Sequence, residues 1–452
     1  MYLSDLALAD FRSHASAVLR LGPGVTAFVG GNGQGKTNLV EAVAYLATLS
    51  SHRVASTAPL VRQGAGRAQL KAKLVRGARS VLVELELAAG QAAKARIGRS
   101  KVKPSALLGV AKAVAFAPED LALVKGGPSE RRRYLDEILQ QLRPSLARVM
   151  ADYDKVAHQR AALLKSLGQL GPQAWAQAAP TLDVWDLKAA ELGGRLVASR
   201  MRLAADLAPR VAGAYSQLAA GGEAALAYKP SVDLPERPSP DQAAAALASA
   251  MAGGRAKEIE RGAGLAGPHR DDLELALNGL PARGYASHGE SWSLALALRL
   301  GSFELMRQEA GDDPILILDD VFAELDSSRR QAVGTLVGGV EQVLVTAAVA
   351  ADVPAGLAGR WYALEGGQIS PWAGPEAGDG AGGGEDRPLG GPGVGATRPA
   401  AELATSPAGE LEAGRGAAAV DGGDGGGGGP SSRPEPATQG PSPAGEPGGG
   451  DG

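Results

Sequence analysis

The sequence predicts an α/β fold, on three observations. A glycine-rich octapeptide, Gly30-Gly31-Asn32-Gly33-Gln34-Gly35-Lys36-Thr37, lies between an apolar strand and an amphipathic helix. A second apolar run, Ile315-Leu316-Ile317-Leu318, ends in the pair Asp319-Asp320. Between the two, the hydrophobic period is two near residues 70–87 and three-to-four from Ser129 onward. Alternating strands and then a set of helices therefore separate two pieces of one parallel core.

In chain order, residues 25–29 read as the strand that enters the glycine loop. Leu39, Ala42, Val43, Leu46 and Leu49 form one face of the helix that leaves it. Residues 70–74 and 81–87 alternate apolar and polar, as half-buried antiparallel strands do. Leu135, Ile138, Leu142, Leu146, Val149, Tyr153 and Val156 keep helical spacing, with Pro144 expected to kink or restart the helix. Leu182, Trp185, Ala189, Leu192 and Leu196 repeat that spacing after a turn at 168–172, so the two stretches predict a short antiparallel helical arm. Residues 228–240 carry four prolines and form a connector to a helix over 241–261. Val343-Leu344-Val345 adds another core strand. The expected organisation is a nucleotide-loop half with a basic β region (1–125), a helical arm or second lobe (126–265), a second half of the core (266–371) and a tail (372–452).

Composition separates the tail from the rest. Of 64 Gly and 29 Pro in 452 residues, 26 Gly and 11 Pro fall in residues 373–452, which carry a net charge of −8. So few large apolar side chains cannot offset the entropy of ordering the segment, and a disordered tail is expected. The remainder has a net charge of +5. Cysteine is absent, which excludes disulfides and thiolate metal sites, and the five histidines lie far apart with no metal-ligand spacing. No apolar run reaches 18 residues, so a cytoplasmic protein without membrane contact is expected.

The octapeptide matches G-x-x-x-x-G-K-[ST]. In that pattern glycines turn backbone N–H groups inward around phosphates, Lys36 reaches the β and γ phosphates, and the Thr37 hydroxyl ligates magnesium. A buried strand delivering Asp319 to its C-terminal edge suits the same magnesium, and Asp320 beside it can orient or deprotonate water. The plainer alternative is an Asp-Asp turn. Ser287-His288-Gly289-Glu290 precedes a helix. It reads equally as a capping box, or as an anion site made of a hydroxyl, a glycine N–H and a positive helix end. A second anion site without a lysine of its own suggests ATP shared between two subunits. Residues 62–112 hold 12 basic and 2 acidic residues. Lys71, Lys73, Arg76, Arg79, Arg99, Lys101 and Lys103 are candidates for contact with a nucleic-acid backbone. The alternative is a solvated sheet face in which Lys71 and Lys73 pair with Glu84 and Glu86. Arg131-Arg132-Arg133 is a second basic candidate.

Together these motifs resemble an ATP-binding-cassette (ABC) ATPase head, and more closely the RecF family of bacterial recombination mediators within the structural-maintenance-of-chromosomes group. The similarity runs through Leu8-Ala9-Asp10-Phe11-Arg12, Gly30 to Ala42, Ser51-His52-Arg53 and Ala117-Pro118-Glu119-Asp120-Leu121. It continues through Gly267-Pro268-His269-Arg270-Asp271-Asp272, Ser287 to Glu290 and Leu318 to Asp326. The resemblance implies that Ser287, Gly289 and Glu290 form a signature motif meeting the γ-phosphate on an opposite subunit, and that Asp326 lies in the loop crossing the dimer. It also implies an ATP-dependent homodimer, a DNA-dependent ATPase, and binding to single-stranded DNA and to gapped or junction DNA. RecR- and RecO-type partners, loading of RecA, and a part in replication, repair of DNA damage and the SOS response belong to the same implication. Asp320 stands where transporters carry Glu, and Thr346 where they carry a switch His, so the resemblance implies slow hydrolysis. Gln63 is a candidate for the glutamine of the loop usual in such heads.

Two other readings use the same core. The ATPase subunit of a transporter would co-purify with membranes and ignore DNA. A metabolic kinase would leave Ser287 to Glu290 and Asp326 without a task.

Overall fold

The computed structural model describes residues 1–219 and 222–375. The acidic glycine- and proline-rich segment from 376 onward, expected to be disordered, lies outside the described residues. Trp372, placed by composition at the start of the tail, belongs to a strand and packs edge-on against Trp361 at 5.6 Å.

The chain opens with a hairpin, β1 (Tyr2–Phe11) and β2 (His14–Arg20), followed by β3 (Gly24–Val29) and α1 (Lys36–Thr48). Four antiparallel strands come next: β4 (Ala68–Arg76), β5 (Arg79–Leu87), β6 (Lys94–Ile97) and β7 (Ser100–Val102). After β8 (Ala113–Phe116) the chain turns helical, with α2 (Leu121–Lys125), α3 (Pro128–Leu142), α4 (Ser145–Leu167) and α5 (Pro172–Leu218). Then follow β9 (Ala224–Lys229), α6 (Pro240–Arg261), β10 (Asp272–Leu277), β11 (Leu280–Pro281) and the short turn α7 (Ala282–Tyr285). The last part holds α8 (His288–Ala310), β12 (Ile315–Asp319), α9 (Ser327–Val337), β13 (Gln342–Ala347), β14 (Arg360–Glu365) and β15 (Gln368–Trp372).

These strands form three sheets. The central one has the order β15-β14-β3-β13-β12-β8, parallel except for β15. Its middle strands are buried on both faces: Leu316 and Leu318 point into one hydrophobic cluster with α3, α5 and α8, while Ile315 and Ile317 point into another with α1. This is why Ile315 to Leu318 reads as an unbroken apolar run. The second cluster is closed from its other side by the antiparallel sheet β2-β1-β4-β5-β6-β7. Helix α1 is therefore apolar towards both sheets, with Leu39, Val40, Val43 and Leu46 all buried.

The helical middle departs from the expected simple arm. Arg143 and Pro144 do separate two helices, and α4 and α5 meet at a turn over 168–171. However, α5 runs for 47 residues, about 70 Å at the usual rise, and packs on α4, α6 and α8 in succession. The expected connector over 228–240 begins inside β9, which pairs with β10 along its length, Tyr228 opposite Leu273. A boundary at 265/266 thus divides a sheet, because the second half of the core borrows a strand from the middle of the chain.

Ion pairs lock α4, α5 and α6 together. Arg160 on α4 is buried and donates to Asp186 on α5 and to Glu258 on α6, both at 2.5 Å. Arg255 adds a second cation on Asp186 at 2.8 Å. Removing one member of a buried pair leaves uncompensated charge. Arg160→Met is expected to lower unfolding free energy by about 3–5 kcal/mol in denaturant titrations; a drop under about 1 kcal/mol would mean that the pair is hydrated.

Candidate functional site

The phosphate loop sits at the C-terminal edge of the parallel sheet, between β3 and α1. Gly33 and Gly35 have φ of 82° and 95°, where a side chain would be strained. Gly30 is small for a different reason: a Cβ there would lie 2.2 Å from the Leu364 carbonyl oxygen. Lys36 is buried, and its Nζ donates to the carbonyls of Gly30 at 2.7 Å and Gly31 at 3.2 Å. The ammonium is thereby held over the loop. His14 braces the loop from the β1–β2 turn through a 3.0 Å contact between Nε2 and the Gly35 carbonyl. A carbonyl only accepts, so Nε2 carries the proton, and burial lowers the ring's pKa and keeps it neutral.

Two stretches that looked isolated in sequence converge on Glu41 of α1. Arg12 donates both Nε and Nη2 to its carboxylate, at 2.8 and 2.5 Å, and the Ser51 hydroxyl donates at 2.6 Å. Burial pushes the Glu41 pKa up, but these hydrogen bonds outweigh it and the net shift is down. Arg53 lies 3.5 Å from the same carboxylate and donates to Asn38 at 2.9 Å.

Between β3 and β12 lies one strand, β13, and this spacing sets Asp319 beside Thr37. The Thr37 hydroxyl donates to Asp319 Oδ1 at 3.1 Å, and the Thr346 hydroxyl donates to the same oxygen at 2.5 Å. Thr346 also accepts from the Asp320 N–H at 2.9 Å. It therefore ties the Asp319 carboxylate to the backbone of Asp320. Asp320 has a φ of 52°, uncommon for a residue with a side chain, and its Oδ1 is buried without a protein partner. Magnesium keeps most of its shell as water and phosphate oxygens and takes one or two from protein. Thr37 and Asp319 fit that need. No cluster of three or more His, Asp or Glu suited to a metal occurs among the described residues.

The stretch Ser287 to Glu290 forms the capping box of its plainer reading. Ser287 Oγ accepts from the Glu290 N–H at 3.3 Å and its N–H donates to the Glu290 carboxylate at 2.8 Å, a complete capping box. The same turn leaves Ser287 and His288 exposed at the positive end of α8. Arg329 stands next to it, its Nη1 3.1 Å from where a Gly289 Cβ would be, and it pairs with Asp326, the N-cap of α9. No hydrogen bond or ion pair joins Ser287 to Glu290 to the phosphate loop among the described residues.

Behind α8 lies a buried network that no local pattern singles out. Arg299 donates to Asp120 at 2.6 Å, lies 3.8 Å from Glu137 and sits over the Tyr134 ring at 5.3 Å. Asp120 also accepts from the Ala117 N–H at 3.0 Å, at the end of β8, the neighbour of β12. Helix α8 and the Asp319 strand, through its neighbour β8, are thus tied to one short loop. Gln63 is exposed and makes none of these contacts; the charge of Glu119, in the loop after β8, acts on Asp319.

The basic sheet splits into neutralised and free positions. Lys71 lies 3.6 Å from Glu84 as the alternative anticipated, but Glu86 pairs with Lys94 and Arg67, and Lys73 lies opposite Leu82. Arg76 reaches Asp312 at 2.6 Å. Lys73, Arg79, Arg99, Lys101 and Lys103 are exposed and have no ion pair among the described residues, and so is Arg96, which was not among the candidates. Arg131 is not a surface cation at all. It is buried and makes a two-pronged bond to Asp272, 2.8 Å on each side.

Burial raises the Asp319 pKa to about 6, with the Thr346 hydroxyl bond working the other way and the Asp320 charge adding to it. A raised carboxyl pKa means that the fold disfavours the ionised form, so stability from this group falls as pH rises from about 4 through 6. In metal- and nucleotide-free buffer, Asp319→Asn is expected to be more stable than the parent at pH 8 by about 1–3 kcal/mol and equal to it near pH 4. A difference independent of pH would contradict this.

Comparison with known proteins agrees with this geometry. The family model described as the RecF/RecN/SMC N terminal domain matches residues 2–353. The protein from Beutenbergia cavernae named DNA replication and repair protein RecF is 53% identical over 393 residues, spanning 82% of this chain and 99% of that one. Its namesake in Streptomyces avermitilis is 54% identical over 372 residues, with the same coverage. Among solved structures, the recombination mediator protein RecF of the RecFOR pathway, with ATP and as RecF-ATPrS, superposes with a TM-score of 0.75 at 25% identity, over 82% of this chain and 98% of the other. The fold is therefore that of an ABC-type ATPase head, and the chain belongs to the RecF family of DNA replication and repair proteins.

Proposed function

We propose that this protein is an ATP-operated DNA clamp of recombinational repair. Two copies close on each other when ATP bound at Lys36 and Thr37 of one meets Ser287 and Gly289 of the other, and hydrolysis reopens them. The single observation that carries this reading is the separation of two anion-binding half-sites in one chain. The phosphate loop has its lysine and magnesium ligands, whereas the exposed N-terminus of α8 has a cap and no bond to that loop. Each half is completed by the other half of a second copy. In this reading Glu290 fixes the Ser287 turn, and the Asp326–Arg329 pair lies at the edge of the closing surface.

Slow turnover follows from the same atoms. Asp320 is the base candidate, with a free Oδ1, but its short side chain keeps it close to the strand end. Thr346 spends its hydroxyl on Asp319 and offers no proton relay. ATP then times the closed state. The setting proposed is the one the family resemblance implies: single-stranded gaps and single-strand/double-strand junctions, RecR- and RecO-type partners, RecA loading and the SOS response; the similar structure described as a recombination mediator protein of the RecFOR pathway supports its coarse outline. Exposed Lys73, Arg79, Arg96, Arg99, Lys101 and Lys103 supply a cationic face for a DNA backbone, read without sequence. A cytoplasmic location accords with the fact that no helix among the described residues is long and apolar enough to cross a membrane.

Two measurements test this reading. Sedimentation with magnesium and ATP should give a dimer for the parent and monomers for Lys36→Arg and Gly289→Asp, while Asp320→Asn should stay dimeric with turnover lowered about 10²-fold or more. A parent that remains monomeric with ATP ends the clamp reading. Replacing Lys73, Arg99 and Lys101 by Glu should weaken DNA binding and reduce the slope of log K against log salt by about 0.7–0.9 for each phosphate no longer neutralised. An unchanged slope discards the sheet as the DNA face.

A further inference from the structure

We infer that Tyr285 is a nucleotide-binding residue that acts across the dimer: its ring packs on the nucleoside of the ATP held by the phosphate loop of a second copy. This rests on the two-headed closure proposed above and assigns to it a residue outside the signature motif.

Tyr285 is 70% exposed, among the most exposed large side chains of the described residues. Most aromatic rings of this chain are buried or half-buried, and a ring left in water contributes nothing to folding that a small polar residue would not. Its backbone is nevertheless fixed. Ala282 is buried at 2%, the Ala286 N–H donates to the Ala282 carbonyl at 3.0 Å, and Gly284 between them takes a φ of 90°. The ring is presented on a hydrogen-bonded turn, and aromatic anchors bind at low entropy cost.

Its location points to the ligand. Tyr285 stands two residues before Ser287, so its Cα lies within about 7 Å of the Ser287 Cα. Ser287 and Gly289 open the positive end of α8, and the cations Lys125 and Arg329 flank it: Lys125 Nζ is 3.4 Å from His288 Nδ1, and Arg329 lies against Gly289. Arg283, next to Gly284, is exposed and has no ion pair among the described residues. An anion end followed at once by an exposed ring matches a triphosphate followed by a nucleoside. The phosphate-loop side lacks the complementary ring: Phe11 and Phe28 are fully buried and Tyr45 is 6% exposed, while the β1–β2 turn above the loop offers Arg12 and Ser13. Phe11, Phe28 and Tyr45 thus present no exposed aromatic ring beside the loop, and Tyr285 of the opposite copy supplies one.

The test uses the full chain. Dimerisation with magnesium and ATP is measured by sedimentation for the parent, Tyr285→Phe and Tyr285→Ala, and ATP affinity is measured separately at a dilution where the protein is monomeric. Tyr285→Ala should weaken the dimer about ten-fold or more, Tyr285→Phe should restore it, and monomer affinity should not change. In mixed dimers with a tagged Lys36→Arg copy, 8-azido-ATP should label the Tyr285 segment of the tagged copy. Equal dimerisation of Tyr285→Ala and the parent overturns the inference while leaving the clamp intact. So does failure of the Tyr285→Ala monomer to bind ATP, or a fall in DNA affinity without nucleotide, which would make the ring a base-stacking contact for DNA. A parent that does not dimerise with ATP removes the clamp and this inference together.

Discussion

The site depends on one contact between residues 282 positions apart, the Thr37 hydroxyl against the Asp319 carboxylate. Nothing local to either segment brings them together. What does so is the parallel register of β3, β13 and β12, in which Thr26 lies beside Leu344 and Ile317 on the far side of it. Because these strands are buried on both faces, a slip of one residue would exchange the two hydrophobic clusters, and the register is held by packing on two sides. The chemistry is positioned by apolar side chains that never touch the ligand.

Around that contact the polar interior is organised as a set of ties. Glu41 collects Arg12, Ser51 and Arg53; Asp120 collects Ala117 and Arg299; Asp271 and Asp272 collect Tyr228, Ser231 and Arg131. Each anion joins elements that are distant in sequence, and each is buried or half-buried, where an unmet charge costs most. Arg200 belongs to the same pattern, bonded to Asp136 and to the Pro268 carbonyl. These ties connect the helical middle to the nucleotide core at several points.

Much of this was legible in the sequence because its cause is local. The glycine loop needs positive φ at Gly33 and Gly35, the strand before Asp319 needs apolar residues on both faces, and Ser287 with Glu290 caps its own helix; each leaves a pattern within ten residues. What was not legible depends on tertiary partners. Arg131 looks like part of a surface cluster until Asp272, 141 positions away, takes it inside. Lys71 and Arg76 belong to a basic run but meet Glu84 and Asp312. Residues 228–240 look like a connector because prolines mark it, although its first residues complete a sheet with β10. Arg299 shows only as one more charged residue on a helix, and its network is a property of burial.

The strand order also has a consequence for synthesis. β3 carries the phosphate loop, yet its two neighbours in the sheet are β13 and β14, and Gly24 pairs with Gln342. While the ribosome is still making the helical middle, the loop hangs from a strand with both edges open and no partner to receive it. Domains ordinarily fold as they emerge, beginning at the N-terminus. Here the first half of the core must wait for the last, so the nascent chain has no complete nucleotide site until residues beyond 360 have left the exit tunnel. Until then the β1–β2 hairpin with β4 to β7, which pairs only within the first part of the chain, is the sheet that can form.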